Sequence, residues 1–370
     1  MAARTLVKEN VLLIVASLAF VSATVGFADC RNPQCLPIAS LDAPGVGFDL
    51  TAGYGVNFYN GPTKDLVKVE AAQEYKDLIV RLSSSPPSRP SYIDSLKRWW
   101  GKKRDRPSTT DVEAELGINL NKIVLSHLWF PALTSEDIGD AIEYAGLQSW
   151  LHTSNNDPVW DPNQLSENRA ALAAHGVNLC QEYGSWQVCV EGISADASDV
   201  TVYYASLTRS ALYTSLDSHL QPFEYILENE PYSFFDSKLG LDDMPQFPSE
   251  NAYWNPVRDK LVPPRNNVHN RPITHVVVGG EAAMMPEFRN ALREALVNAS
   301  VSPFAVDAIF GADESSPSPL YAAARGAALL ARWRQEAPHG CFEMLGDCNE
   351  RRKREREGES ATAPGQKSDL

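Results

Sequence analysis

A carboxylate followed by small residues occurs near residue 50. The segment reads GFDLTAGY (residues 47–54), with Asp49 after apolar residues and before a turn that contains Thr51 and Gly53. A carboxylate at a strand end can hold a hydrated metal ion beside a turn whose backbone amides bind phosphate. The same residues also suit an ordinary turn. Alone, the segment therefore indicates only a candidate phosphate and metal site.

A second segment pairs an apolar strand with two glycines. It reads ITHVVVGGEAAMMPEF (residues 273–288), and Gly279 and Gly280 are followed at once by Glu281. Paired glycines let a ligand approach the backbone closely, and a following helix offers its amino terminus to an anion. Pro286 is favoured at the first position of that helix. The segment predicts a strand, a ligand-contacting turn and a helix.

The two segments resemble motifs of the actin, sugar-kinase and heat-shock-chaperone superfamily, most closely the chaperone nucleotide-binding domain. The first is similar to its first phosphate hairpin, with Asp49 in place of the strand-end aspartate; the second is similar to its adenosine motif. Residues 125–147 resemble its first connecting segment, and residues 321–328 resemble its second connecting helix. The resemblance covers most of residues 46–334 and implies an α/β, two-lobed actin-like ATPase (ribonuclease H-like) fold with mixed sheets and reduced peripheral subdomains.

The resemblance also implies a site for ATP or ADP with Mg²⁺. Asp49 would be the metal ligand and a catalytic candidate, and Glu182 matches the family's strand-end glutamate as a second catalytic candidate. The residues expected to line the nucleotide are Asp49, Thr51, Gly53, Ser206, Thr208, Gly279, Gly280 and Glu281.

The second phosphate turn departs from the family pattern of a strand, an aspartate and a run of glycines. Its best match is VTVYYASLT (residues 200–208), where Tyr204 takes the aspartate position and Ser206, Leu207 and Thr208 replace glycines. Phosphoryl transfer depends on charge neutralisation and a positioned water. We therefore expect a catalytically impaired nucleotide-binding domain, a pseudo-ATPase that acts by binding. The alternatives are an active Mg²⁺-dependent ATPase or small-molecule kinase, and a secreted structural protein with no nucleotide site.

Strand and helix patterns alternate along the chain, which predicts an α/β fold with a mixed sheet. Thr134 and Asp137 predict a capped helix start, and a short strand is predicted over residues 304–310. Residues 220–270 are rich in proline and show little periodicity. The expected division is lobe I over residues 40–180 with a loop at 83–110, lobe II over 181–335, and a disordered charged tail over 349–370.

The net charge of −14 is unevenly distributed, because basic residues cluster at 97–106 and 350–357. The acidic remainder would repel a phosphate backbone, so nucleic acid is not an expected partner. We expect an unidentified protein partner. The basic loop at 97–106 is either a contact surface for it or a solvated loop.

The amino terminus predicts entry into the secretory pathway. Arg4 and Lys8 precede an uncharged run over residues 11–28, which is typical of a signal peptide; an uncleaved signal anchor is the alternative. The product would be secreted or lumenal, and bound to a membrane only if the segment is uncleaved. Six cysteines in three local pairs favour disulfides, and residues 298–300 form the sequence's only N-glycosylation sequon.

Overall fold

A computed structural model describes residues 45–60, 65–84, 122–151, 163–177, 200–219, 232–264, 271–311, 317–336, 348, 350–354 and 356–357. The predicted leader, nearly all of the 83–110 loop, Glu182 and every cysteine except Cys348 lie outside these residues. What the sequence predicts for them therefore stays a prediction. None of the helices within the described ranges is long and apolar enough to cross a membrane.

The first sheet has six strands in the order β3-β2-β1-β4-β5, with β6 paired to β4. Strands β1, β2 and β3 form an antiparallel meander, whereas β4 runs parallel to β1, and β5 and β6 run parallel to β4. The strands are β1 (Gly45–Leu50), β2 (Tyr54–Asn60), β3 (Asp65–Glu70), β4 (Lys122–His127), β5 (Gln148–Ser149) and β6 (Leu165–Ser166).

The second sheet has four strands in the order β10-β7-β8-β9. Strands β7, β8 and β9 again form an antiparallel meander, and β10 runs parallel to β7. The strands are β7 (Val200–Leu207), β8 (Leu212–His219), β9 (Tyr232–Asp236) and β10 (His275–Gly279). Each sheet thus contains a meander whose first strand is extended by a parallel strand. The prediction of an α/β fold with mixed sheets is confirmed.

Seven α-helices accompany the sheets in the described residues. They are α1 (Gln73–Ser84), α2 (Ser135–Tyr144), α3 (Glu167–Ala174), α4 (Glu250–Lys260), α5 (Pro286–Asn298), α6 (Pro303–Asp307) and α7 (Ala322–Glu336). The predicted capping box is present at α2, where Thr134 Oγ1 accepts the Asp137 amide and the Asp137 carboxylate accepts the Thr134 amide. Pro286 begins α5, as the sequence predicts.

One prediction of local structure is wrong. The strand predicted over residues 304–310 is largely helix α6, and Phe310 makes only an isolated bridge to Val277. Short apolar runs fit a helix or a strand equally well, and Pro303 favours a helix start. The proline-rich region 220–270 contains β9, a 3₁₀ helix (Leu241–Gln246) and α4.

Helix α7 packs closely on the first sheet, although the predicted division assigns it to lobe II. A Cβ atom added to Gly47 of β1 would lie 2.2 Å from the Ala328 amide nitrogen of α7. On another side of α7, a Cβ at Gly326 would lie 1.8 Å from the carbonyl oxygen of Ala170 in α3. Small residues at these contacts let α7 approach both β1 and α3, because side chains would separate the backbones.

Strand β7 of the second sheet contributes to two hydrophobic clusters, one of which it shares with the first sheet. Strand β7 alternates, with Val200, Val202 and Tyr204 in the core of the first sheet and Tyr203, Ala205 and Leu207 in the core beneath α4, α5 and α6. This alternation is the period of two that a strand buried on both faces requires. The second sheet therefore lies directly against the apolar interior of the first.

Candidate functional site

The turn after β1 closes on its own threonine. The Thr51 hydroxyl donates to the Tyr54 carbonyl oxygen at 3.0 Å, and its oxygen accepts the amides of Gly53 and Tyr54 at 3.3 and 3.2 Å. The Tyr75 hydroxyl of α1 donates to the Thr51 carbonyl at 2.9 Å. Two amides that would face a phosphate in a phosphate-binding turn therefore already have a partner inside the turn.

The turn after β7 is built in the same way. The Thr208 hydroxyl donates to the Ala211 carbonyl at 3.2 Å, and its oxygen accepts the amides of Ser210 and Ala211 at 3.2 and 3.1 Å. Thr208 and Thr51 thus occupy equivalent positions, each at the first residue of a four-residue turn. This pairing was not apparent from the sequence, where only the threonines and their spacing from a strand end are visible.

The equivalence of the threonines corrects the alignment of the second turn. The last pair of the first hairpin is Leu50 with Gly55, and that of the second is Leu207 with Leu212. The residue one before each leucine is Asp49 in β1 and Ser206 in β7. Within this protein, Ser206 therefore stands where Asp49 stands in the first hairpin, and Tyr204 corresponds to Gly47. The second turn still lacks the carboxylate.

The predicted site residues of three separate segments lie together. A Cβ atom added to Gly53 would lie 2.7 Å from Ser210 Oγ, so the two threonine turns are in contact. Gly279 pairs with Ser206 between β10 and β7, and the Ala282 amide donates to the Leu207 carbonyl at 3.0 Å. Gly280 has a φ of 81°, a conformation that favours glycine. The turn of the paired glycines thus lies against the second threonine turn.

Asp49 is buried at the end of β1, with 1% of its surface exposed. Its carboxylate accepts the Ser126 hydroxyl of β4 at 2.7 Å. Burial raises the pKa of Asp49 to about 7, and the hydrogen bonds from Ser126 and the Leu50 amide only partly offset that cost. The carboxyl group is therefore harder to ionise here than an exposed aspartate.

Glu167 is a second buried carboxyl in this region, and the sequence analysis missed it. It begins α3, and the Tyr204 hydroxyl donates to its Oε1 at 2.8 Å, whereas its Oε2 has no hydrogen-bond partner. Burial, followed by the neighbouring Asp49, raises the pKa of Glu167 well above its ordinary value. Its only sequence signal is an acidic residue in the first turn of a predicted helix, which many surface helices share.

Tyr204 fills the space above the paired glycines. A Cβ atom at Gly279 would lie 1.9 Å from the Tyr204 hydroxyl, so only glycine leaves room for the phenol. Because Gly279 has no side chain, a ligand could in principle approach its backbone. In this structure the Tyr204 ring occupies that space instead. Ser206, Thr208, Thr51 and Tyr204 are each at most 2% exposed.

Glu281 joins the glycine turn to both other segments. One carboxylate oxygen accepts the Arg209 amide at 2.7 Å, within the second threonine turn, and the other forms an ion pair with Lys68 of β3. Lys68 also pairs with Glu70 at 2.7 Å and lies over the Tyr54 ring at 4.8 Å from its centroid. The Glu281 carboxylate therefore accepts a third amide of the second threonine turn, in addition to the two that Thr208 accepts. Through Lys68, it also links the second sheet to the first.

The turn amides expected to bind phosphate have partners within the protein. The turn amides that a phosphate would use are bonded to Thr51, Thr208 and Glu281, and the expected metal ligand is buried beside a second carboxyl. In the part of the chain that the structure describes, no group of three or more His, Cys, Asp or Glu side chains is positioned to hold a metal ion. Glu182 lies outside the described residues, so its catalytic role stays a prediction.

No protein-family model matches the sequence, and no curated protein matches it. The class of the protein therefore has to be inferred from its fold and from the three converging turns.

Proposed function

We propose that this chain is an actin-like domain of the secretory pathway that has lost ATPase chemistry and acts by binding a protein partner. The observation that carries the proposal is the pair of threonine turns, whose amides are bonded within the protein at the place where the actin-like resemblance implies phosphate. Such turns need no nucleotide for their hydrogen bonding, and they lie where the two sheets share a hydrophobic cluster.

The actin-like part of the proposal rests on repetition. A two-lobed fold of this family implies two related halves, and both sheets here consist of an antiparallel meander extended by a parallel strand. The two threonine turns end equivalent strands and touch at Gly53 and Ser210. Two independent similarities, in strand order and in turn chemistry, favour a common origin of the halves.

The loss of chemistry rests on charge. Phosphoryl transfer requires fixed cations and carboxylates around the phosphates. Ser206 offers no charge at the second strand end, and the pKa of Asp49 is raised by burial to about 7 at the first. Removal of one preorganised electrostatic contact typically lowers a rate by about 10²-fold, so the missing carboxylate at Ser206 alone would strongly reduce turnover.

A purely structural secreted protein is the second candidate. The burial of the candidate site favours it, because Asp49, Thr51, Ser206 and Thr208 are each at most 2% exposed. The two candidates differ in the basic loop at 97–106, which we propose as the partner surface of the binding domain. That loop would have no role in a purely structural protein.

The nucleotide part of the proposal is tested by thermal unfolding of the full-length chain with ATP, ADP and Mg²⁺. A ligand of the native state at about 100 times its dissociation constant would add about 2.7 kcal/mol to stability. We expect no shift in Tm at millimolar nucleotide and no phosphate release. A shift at micromolar ATP, with Mg²⁺-dependent hydrolysis that Asp49→Ala abolishes, would instead establish an active ATPase.

The partner part is tested by chemical cross-linking of the tagged full-length chain in the compartment where it accumulates. The comparison is with a variant whose basic residues at 97–106 are replaced by serine. We expect one discrete cross-linked species that the variant loses. Identical cross-linking of both chains would contradict a role for the basic loop and favour the structural candidate.

A further inference from the structure

Three helices of this chain are followed by a residue in the left-handed conformation, which is a glycine after α2 and α3 and a serine after α5. Helix α2 is followed by Gly146 with a φ of 79°, and helix α3 by Gly176 with a φ of 74°. After α2, the Gly146 amide donates to Glu143 and the Leu147 amide donates to Ile142. These are the two bonds of a Schellman motif, in which glycine is the usual residue.

Helix α5 ends in that motif with a serine. The Ser300 amide donates to the Val297 carbonyl at 2.9 Å, and the Val301 amide donates to the Leu296 carbonyl at 3.0 Å. Ser300 has a φ of 59° and is the only non-glycine residue with a positive φ in the described ranges. A residue with a Cβ is strained there, so the backbone alone would favour glycine, as it does at the ends of α2 and α3.

The strained serine is the hydroxyl residue of the sequon Asn298-Ala299-Ser300, which occurs once in the sequence. Asn298 is the last residue of α5 and is exposed. Its neighbour Val297 is 64% exposed and Phe304 is 79% exposed, the two largest values among the exposed large hydrophobic residues. A hydroxyl is therefore kept where glycine would fit better, beside apolar surface that nothing in the described chain covers.

We propose that Asn298 is an N-glycosylation site, and that its glycan covers the surface around Val297 and Phe304. The inference rests on the proposed entry into the secretory pathway, because the donor, an oligosaccharide linked to a polyprenyl diphosphate, is used in the lumen. The Asn298 amide nitrogen forms a bond to the sugar C1 and loses one proton. The C1–O bond to the diphosphate breaks, and the polyprenyl diphosphate leaves.

The folded structure accommodates this modification. The acceptor asparagine lies at a helix end that points its last turn to solvent, so an attached oligosaccharide displaces no packed side chain. Exposed apolar residues favour association, and a hydrated sugar chain beside them lowers that tendency. The strain at Ser300 is then retained because glycine at that position would remove the acceptor sequence.

The test is translation of the full-length chain in the presence of microsomes derived from the endoplasmic reticulum, followed by protease protection and endoglycosidase treatment. We expect a protected chain with one endoglycosidase-sensitive shift in mobility. Asn298→Gln and Ser300→Gly should lose the shift, and Ser300→Thr should keep it. In unglycosylated chain, Ser300→Gly should raise Tm by about 1–3 °C, because it relieves the left-handed serine.

The outcomes separate this inference from the function on which it rests. A protected chain without the shift would overturn the glycosylation site and leave secretory entry intact. A chain that the protease digests would overturn secretory entry and the glycan with it. A shift that persists in Asn298→Gln would place the modification elsewhere and overturn the assignment.

Discussion

The two sheets of this protein have the same strand order and the same threonine turn, but they differ in the strands that lead to those turns. In β1, Gly47 has no side chain, and the backbone of α7 packs directly on it. In β7 the equivalent residue is Tyr204, which donates to Glu167 of α3. The first strand therefore packs on its helix through direct contact between backbones. The second strand contacts its helix through the large Tyr204 side chain and the hydrogen bond of its hydroxyl.

The comparison extends to the strand ends. Asp49 keeps a carboxyl that is buried and hydrogen-bonded to Ser126, whereas Ser206 is uncharged at the equivalent position. The turn hydrogen bonds are present in both halves, whereas a strand-end carboxyl is present only in the first. These hydrogen bonds thus stabilise both turns within the protein itself.

The largest effect is expected where backbones touch. A Cβ at Gly47 would lie 2.2 Å from the Ala328 nitrogen and 2.3 Å from the Ala324 oxygen. Gly47→Ala should therefore destabilise the protein by about 3 kcal/mol or more, because α7 would have to move away from β1. Chemical denaturation of the purified chain measures this loss.

The matched control is Gly176→Ala. Gly176 has a φ of 74° and no atom within 4 Å of its added Cβ, so the substitution introduces backbone strain without a steric clash. We expect a cost of about 1 kcal/mol. Equal costs at the two glycines would show that α7 does not depend on the close approach to β1.

The next effect concerns the buried carboxyl of the first half. The ordinary pKa of aspartate is 3.8, and burial raises that of Asp49 to about 7 in the folded state. Between these values the folded protein holds a proton that the unfolded chain has released, so stability falls as pH rises from about 4 to about 7. The slope is about 1.4 kcal/mol per pH unit for one group at most.

Asp49→Asn should flatten this dependence, because asparagine stays neutral and can still accept the Ser126 hydroxyl. Unfolding free energies measured from pH 4 to pH 8 test the prediction, with Asp77→Asn as the control at an exposed helical carboxylate. The buried carboxyl Glu167 contributes in the same direction, so some slope should remain. An unchanged slope in Asp49→Asn would contradict the assignment.

The smallest effect is expected at the link between the sheets. Glu281 pairs with Lys68 across the two halves and accepts the Arg209 amide, whereas Glu70 meets Lys68 within the same strand. Glu281→Gln should cost about 1 kcal/mol, and Glu70→Gln close to nothing, because exposed ion pairs contribute little. Thermal unfolding at low and high salt measures both. Equal losses would mean that the link adds nothing beyond a surface charge pair.

The sequence predicted well what depends on neighbouring residues. The capped start of α2 and the helix beginning at Pro286 follow from local patterns, and both are present. Helix α4 was missed because Pro256 lies inside it, although Ser249 caps it by accepting the Ala252 amide.

Features that depend on distant residues could not be predicted. The register that aligns Ser206 with Asp49 is visible only once both hairpins are paired. Glu167 enters the site because α3 places it beside Tyr204, some 37 residues away in sequence. Equally, Lys68 and Glu281 are separated by 213 residues, and no local pattern marks either as half of a pair.

The shared interior of the two sheets has a consequence for how the molecule comes apart. Strand β7 contributes Val200, Val202 and Tyr204 to the apolar cluster that also holds Val46 and Phe48. Separation of the two sheets would therefore expose apolar residues of both to solvent. The halves are therefore expected to melt in one cooperative step, and a chain cut between them to yield two insoluble pieces.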